Sequence, residues 1–210
     1  LASGSFEHEK TPNESGFDSL SERDREILLA ATRLFAREGY AQTDVQEIAD
    51  AAGIGKGTVY RTFGNKENLF LAAVRFARAR VLDEVDAAAA LATEPLDHWR
   101  RGMQAFLHFF DENPAVVELL IEERALSRGR RVATFFDTQG KGSERWRQVF
   151  RQLIDAGVIR QLPVEQVEQA ISRYLFGTLF VSYFVGRPEP LAPQFESLFD
   201  ILFTGLANRA

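Results

Sequence analysis

Residues 43–66 read TDVQEIADAAGIGKGTVYRTFGNK, and this stretch decides the fold. Two short helical patterns are separated by a tight, glycine-containing turn. In the first, Val45, Ile48 and Ala49 share a face, Thr43 is in position to cap the start, and Gly53 stops the run. The second runs from about Gly55 to Thr62, with Val59 and Phe63 four residues apart and facing inward. This is the helix-turn-helix pattern. The second helix opens Gly55-Lys56-Gly57-Thr58, whose small residues allow its backbone a close approach to a duplex. The N-terminal end of such a helix presents side chains to base edges. Lys56, Thr58, Tyr60 and Arg61 are left on its outer faces.

Charge sharpens this expectation. The chain carries a net charge of −5 and its pI is about 5.4, which alone argues against binding phosphates. From Gly53 to Lys66, however, there are three basic residues and no acid. Positive charge is concentrated where phosphates would lie, and it need act only over a Debye length of ~8 Å.

Working outward, every segment after residue 20 follows a helical period. Residues 1–20 are rich in Ser, Gly, Glu, Pro and Asn and read as a disordered tail. Ser21 caps a first helix with Glu22, Asp24 and Glu26 in its first turns and Ile27, Leu28, Ala31, Leu34 and Phe35 at helical spacing. Gly39 is expected to end it. After the Phe63-Gly64 break, Asn65 caps a long fourth helix over 66–90. Pro95 opens a fifth, with Trp99, Met103, Phe106 and Phe110 as a stripe. Asn113-Pro114 is expected to cap and open a sixth, ended around 127–129. A seventh carries Phe135 and Phe136 early and Trp146, Val149, Phe150, Leu153 and Ile154 late. Gly140 and Gly142 weaken its middle, and Gly157 ends it. Pro163 opens an eighth helix that runs to Gly186, and a Phe-rich ninth begins near Pro193. The expected fold class is all-α with about nine helices.

The stretch from about residue 24 to 75 resembles the tetracycline-repressor (TetR/AcrR) family of regulators. Leu34-Phe35-Ala36 and Gly39-Tyr40 close the first helix as in that family. Thr43, Glu47-Ile48-Ala49 and Ala52-Gly53-Ile54 match its second helix and turn. Lys56-Gly57-Thr58-Val59-Tyr60-Arg61-Thr62-Phe63 is similar to its recognition helix, and Asn65-Lys66-Glu67-Asn68-Leu69-Phe70 to the start of its connecting helix. Two positions depart from it: Gly55 stands where the family often has Ser, and Arg61-Thr62 where it often has an aromatic and His. The resemblance implies that Thr43 caps the second helix and touches a phosphate. Lys56, Gly57 and Thr58 would sit in or over the major groove, with Gly55 offering backbone contacts. Tyr60 and Lys66 would bond phosphates, and Gln42 and Gln46 would reach backbone or base edges. Arg61 is the candidate base reader, since Arg matches the two acceptors of guanine.

The resemblance further implies an N-terminal helix-turn-helix DNA-binding domain (21–66) and a C-terminal helical ligand-binding and dimerisation domain (67–210), with helix 66–90 as connector. The eighth helix is apolar around most of its circumference, so it must be buried on more than one side, and the ninth makes the same demand. Phe176, Phe180, Tyr183, Phe184, Phe195, Leu198, Phe199, Leu202 and Phe203 are candidates for a homodimer interface through these last two helices. An effector pocket is expected between the fifth and eighth helices. Its candidate lining is Met103, Phe106, Phe110, Phe135, Trp146, Phe150, Tyr174 and Thr178, which suits a small apolar or aromatic molecule.

The expected partners are therefore palindromic double-stranded operator DNA, a second copy of the chain and a small-molecule effector, with no cofactor. The expected action is repression. With no Cys, thiolate catalysis, disulfides and Cys-ligated zinc are excluded. No apolar run reaches the ~18 residues of a spanning helix, and no basic-then-apolar leader stands at the N-terminus, so a cytoplasmic location without membrane contact is expected. Gly53 to Thr58 does not make a phosphate-binding loop, because Gly57 follows Lys56 and a helix precedes. The three His are widely spaced and Glu122-Glu123 reads as a solvated or salt-bridged pair, so an enzyme is not expected. The remaining alternative is a helical ligand-binding or interaction module that does not bind an operator.

Overall fold

A computed structural model describes residues 20–126, 141–186 and 189–206. Its regular elements among these residues are helices: α1 (Glu22–Gln42), α2 (Val45–Ala51), α3 (Lys56–Phe63), α4 (Lys66–Ala89), α5 (Pro95–Glu112), α6 (Ala115–Leu126), α7 (Lys141–Asp155), α8 (Val164–Phe184) and α9 (Leu191–Leu206). The tail, the stop at 127–129, and Phe135, Phe136 and Gly140 lie outside the described residues, as do the side chains of Leu198 and Leu202. No helix of the described residues is long and apolar enough to cross a membrane.

Local chemistry sets most boundaries. The Ser21 hydroxyl accepts from the Asp24 N–H at 3.1 Å, and the Asn65 amide oxygen accepts from the Asn68 N–H at 2.8 Å, so α1 and α4 each start on a side-chain cap. Pro95 opens α5, where a missing N–H costs nothing. At Gly39 (φ 77°, ψ 160°) the backbone leaves helical geometry, so the first helix breaks there as expected, at a kink, and a short helical segment follows to Gln42. Two expectations are corrected. Asp44, not Thr43, caps α2, accepting from the Gln46 N–H at 2.8 Å. Asn113 closes α5 and does not cap α6. Its amide donates to the Phe109 carbonyl at 2.9 Å, and its oxygen accepts from Arg80.

The kink has a tertiary cause. The Tyr40 N–H, freed by it, donates to the Glu122 carboxylate on α6 at 3.3 Å. A Cβ at position 39 would lie 3.0 Å from the Glu122 Oε1, and the positive φ disfavours any side chain there. Glu122 is thus a joint between α1 and α6, which pack along their length.

One continuous apolar cluster runs from Ile27 to Phe195. In it α4 packs on α1 and α5, α5 on α9, and α7 on α8. The Asp111 carboxylate at the end of α5 accepts from the Leu191 and Ala192 N–H groups at 2.9 and 2.7 Å. An anion there complements the positive end of α9 and fixes where that helix begins.

Candidate nucleic-acid interface and effector cavity

The α2–α3 pair is held from inside by Val45, Ile48, Ala49 and Val59, all buried. Backbone bonds from Gly53 N–H to Asp50 and from Ile54 N–H to Ala49 close the turn. Gly55 precedes α3 with no side-chain cap, which leaves the first N–H groups of that helix open to an outside acceptor. A Cβ at Gly55 or Gly57 would meet nothing within 4 Å. The folded chain itself therefore does not require glycine at either position.

Around this tip, Tyr60 is 40% exposed, and Gln42, Gln46 and Arg61 are exposed as well. Thr58 is half-buried, and its carbonyl accepts from the Thr62 hydroxyl at 3.1 Å. The Gln46 amide donates to Asp50 at 2.7 Å. Thr43 sits differently. At 2% exposure, its hydroxyl donates to the Gly39 carbonyl at 2.8 Å and faces Leu34 O at 3.3 Å, so it fixes the α1–α2 corner from within.

The cations are not unopposed, contrary to the charge count along the chain. Lys56 Nζ lies 2.9 Å from the Asp44 Oδ1. The Asp44 carboxyl is held below its ordinary range, first by the Gln46 N–H and then by Lys56, while the Lys56 ammonium is raised by the same carboxylate. Lys66 Nζ donates to the Ala41 carbonyl at 3.1 Å and stands 5.0 Å from the Tyr40 ring centroid. Lys56 and Lys66 are thereby each held by a neighbour, while Arg61 makes no ion pair among the described residues.

In the body a cavity of about 420 Å³ opens between α4, α5, α7 and α8. Its floor is apolar and buried: Val81, Val85, Trp99, Met103, Phe150 and Ile171. Phe106, Trp146, Leu175 and Phe176 complete the walls, and Arg78, Glu168, Ser172 and Arg173 bring the polar atoms. Gly102 is essential to this shape, because a Cβ there would lie 2.2 Å from the Trp146 Cη2.

At the outer surface of α8 and α9, Val181, Phe184, Val185 and Ile201 are each more than 60% exposed. Phe180 stacks on Phe184 with centroids 6.3 Å apart, and Phe199 on Phe203 at 5.9 Å.

Residues 27–73 match the family model for bacterial regulatory proteins of the tetR family. Residues 27–73 thus carry a tetR-family regulatory domain. Over 209 residues the chain is 29% identical to the transcriptional regulator EthR of Mycobacterium tuberculosis, covering 94% of this chain and 91% of that one. It is 30% identical over 101 residues to the transcriptional activator FasR of Mycolicibacterium smegmatis, covering 48% of this chain and 46% of FasR, so it spans about half that relative's length. The fold is also that of the fatty acid degradation regulator FadR from Bacillus halodurans, with a TM-score of 0.76, 20% identity, and coverage of 87% and 98% of the two chains.

The cavity gathers Met103, Phe106, Trp146 and Phe150 of the expected effector set. It does not gather Phe110, which is wholly buried, or Tyr174 and Thr178, which are half-buried away from it. Phe176, expected at the dimer face, lines the cavity, and Phe195 is wholly buried within the single chain. Phe180, Tyr183, Phe199 and Phe203 are half-buried, and Phe184 is 71% exposed. Residues missed on the cavity include Val81, Val85, Trp99 and Ile171. The Trp99/Met103/Phe106 spacing on α5 already signals one of them. Nothing local marks the others.

Proposed function

We propose that this chain is a dimeric, ligand-responsive regulator of transcription, a repressor that leaves a palindromic operator when a small apolar effector fills its cavity. The tip of α3 is the observation that carries it: glycines at 55 and 57 that the fold does not need, flanked by Lys56, Tyr60 and Arg61. Open space beside a helix-start glycine allows an outside surface to come close, and a duplex groove is such a surface. Residues 21–66 form the reading head and 67–210 the effector and dimerisation body, with the helix over 66–90 as connector. Gly55 and Gly57 admit the backbone, while Lys56, Tyr60 and Lys66 hold phosphates. Thr58, Arg61, Gln42 and Gln46 face base edges or the strand beside them. Thr43 acts from inside by fixing the corner that aims α2.

Dimerisation places two heads on successive major grooves. The exposed Val181, Phe184, Val185 and Ile201 supply the apolar area for a bundle of α8 and α9 with a second copy. Effector binding favours one arrangement of the body, and the spacing of the heads shifts with it. The protein works in the cytoplasm and is not an enzyme, in keeping with the regulator names of its relatives.

The test is selection of duplexes from a random pool, followed by affinity measurements across salt concentration. Lys66→Ala should weaken all duplexes alike, and Arg61→Ala should change the preferred base at one position. Equal, sequence-independent loss from both would remove the division of roles. Absence of salt-sensitive binding to any duplex would leave a ligand-binding module and sink the regulator.

A further inference from the structure

Two buried atoms beside the cavity are left without partners, and both belong to titratable side chains. The His98 Nε2 on α5 is buried and bonds to nothing, and so is the Asp86 Oδ1 on α4. Such orphans are uncommon in folded proteins, and each calls for an explanation. Arg145 of α7 stands beside both groups. Its Nη1 lies 2.9 Å from the Asp86 Oδ2, and with His98 it lines a second, smaller hollow of about 250 Å³ between α5 and α7. The imidazole also meets the wall of the effector cavity. Its ring centre is 5.5 Å from that of Trp146, the indole that lies against Gly102 and closes one side of the cavity.

A neutral imidazole offers one donor and one acceptor, whereas the protonated ring offers two donors. The orphaned Asp86 Oδ1 is an acceptor in want of a donor. We infer that His98 and Asp86 form a proton-operated latch on the effector cavity: a proton on His98 draws its Nε2–H to the Asp86 Oδ1, the ring leaves Trp146, and the cavity holds an apolar occupant less tightly. The carboxylate then serves two cations, Arg145 through Oδ2 and His98 through Oδ1. Other acids on the packed elements hold other cations: Asp97 of α5 holds Arg101, Glu144 of α7 holds Arg151, Glu168 of α8 holds Arg147, and Glu196 of α9 holds Arg100. Glu94, at the head of α5, is exposed on the smaller hollow. Burial first, and Arg145 second, keep the folded imidazole neutral below the usual histidine value, against the pull of Asp86. The latch therefore engages only as pH falls below the ordinary histidine range, and above that range the cavity is in its tighter form. The inference rests on the reading of the cavity as the effector site and names a control on that site.

The probe is N-phenyl-1-naphthylamine, a neutral apolar dye that brightens in apolar surroundings and does not ionise across the histidine range of about pH 5 to 8. Titrated into the full chain, it should bind about five-fold tighter at the top of that range than at the bottom, the lower end of ordinary coupling between two sites. Reciprocity then requires that saturating dye lower the His98 midpoint by about 0.7 pH unit. That midpoint is read from the histidine carbon resonances, with His98 assigned through its nuclear Overhauser contact to Trp146. His98→Gln takes up no proton and should bind the dye at the high-pH affinity throughout. Asp86→Asn should move the His98 midpoint further down and level the dye affinity. Glu94→Gln, at an exposed position, should leave both as they are.

Unchanged pH dependence in His98→Gln overturns the latch. So does a His98 midpoint that Asp86→Asn leaves in place, or one that Glu94→Gln moves as far. Should His98→Gln fail to fold, the resonance of the unaltered chain and its response to Asp86→Asn and to dye still decide. Two further outcomes separate this inference from the reading it rests on. Dye that binds with one affinity at every pH keeps the effector cavity and rejects the latch. A His98 midpoint that answers to Asp86→Asn in a chain that binds no dye at any pH keeps the proton pairing and rejects the cavity as an effector site.

Discussion

Asp44 does two things with one carboxylate. It caps α2 through the Gln46 N–H and holds Lys56 at 2.9 Å. The two roles separate by substitution. Asp44→Asn keeps an oxygen for the cap and removes the charge, so Lys56 is freed. Duplex affinity should rise and its dependence on salt should steepen, while the melting temperature falls only slightly, by the share of stability that the charge supplies. Asp44→Ala should show the same gain in binding but melt about 2–4 °C lower, the shift that loss of a cap gives in a chain of this size. Because the Asp44 carboxyl is depressed when folded, its contribution to stability is full above the ordinary Asp range. It is lost as pH falls through the lowered value. Gly57 makes a companion case. With nothing within 4 Å of a Cβ, Gly57→Ala should stabilise α3 by up to about 1 kcal/mol in thermal melts. The same substitution should weaken duplex binding in anisotropy titrations. A variant that is more stable and binds as well would show that the tip never meets a groove.

At the scale of elements, boundaries are legible where the signal is local. Ser21, Asn65 and Pro95 each mark a helix start within a few residues of the chain, and the structure places helices there. The acceptor of the Tyr40 N–H after the Gly39 break is different, because Glu122 stands 82 positions from Tyr40. The Lys56–Asp44 pair spans twelve positions and escapes a charge count confined to 53–66 for the same reason. The cavity was half legible. Met103 and Phe106 follow a helical stripe, but Arg78 and Arg173 look like ordinary solvated arginines until two helices face each other. Gly102 was not singled out, since a helical glycine gains meaning only from the Trp146 ring laid over it. Gly102→Ala puts a methyl where that ring stands and should cost about 1–3 kcal/mol in denaturant unfolding. The tryptophan emission should shift, and apolar ligands should bind more weakly as Trp146 is displaced. An unchanged spectrum together with unchanged stability would contradict the packing.

For the whole molecule, an acidic chain with a small basic edge should meet DNA head first, since only that edge is attracted. On the proposed function two such heads meet a palindrome, and the exposed apolar surface on α8 and α9 is the proposed means of pairing. Replacing Val181 and Phe184, exposed at 63% and 71%, with Glu should leave the single chain folded because neither belongs to its core. Sedimentation should then show a monomer, and operator affinity should fall by more than tenfold as the second head is lost. A double variant that still sediments as a dimer would place the interface elsewhere.

Trp99 ties the cavity to the last helix: its indole is part of the lining, and the Phe199 ring of α9 lies 5.4 Å from it, centroid to centroid. Shortening the chain to remove α9 would not leave that cavity intact. The cut would strip the backing from a wholly enclosed indole and leave the Asp111 carboxylate without the two amides it caps.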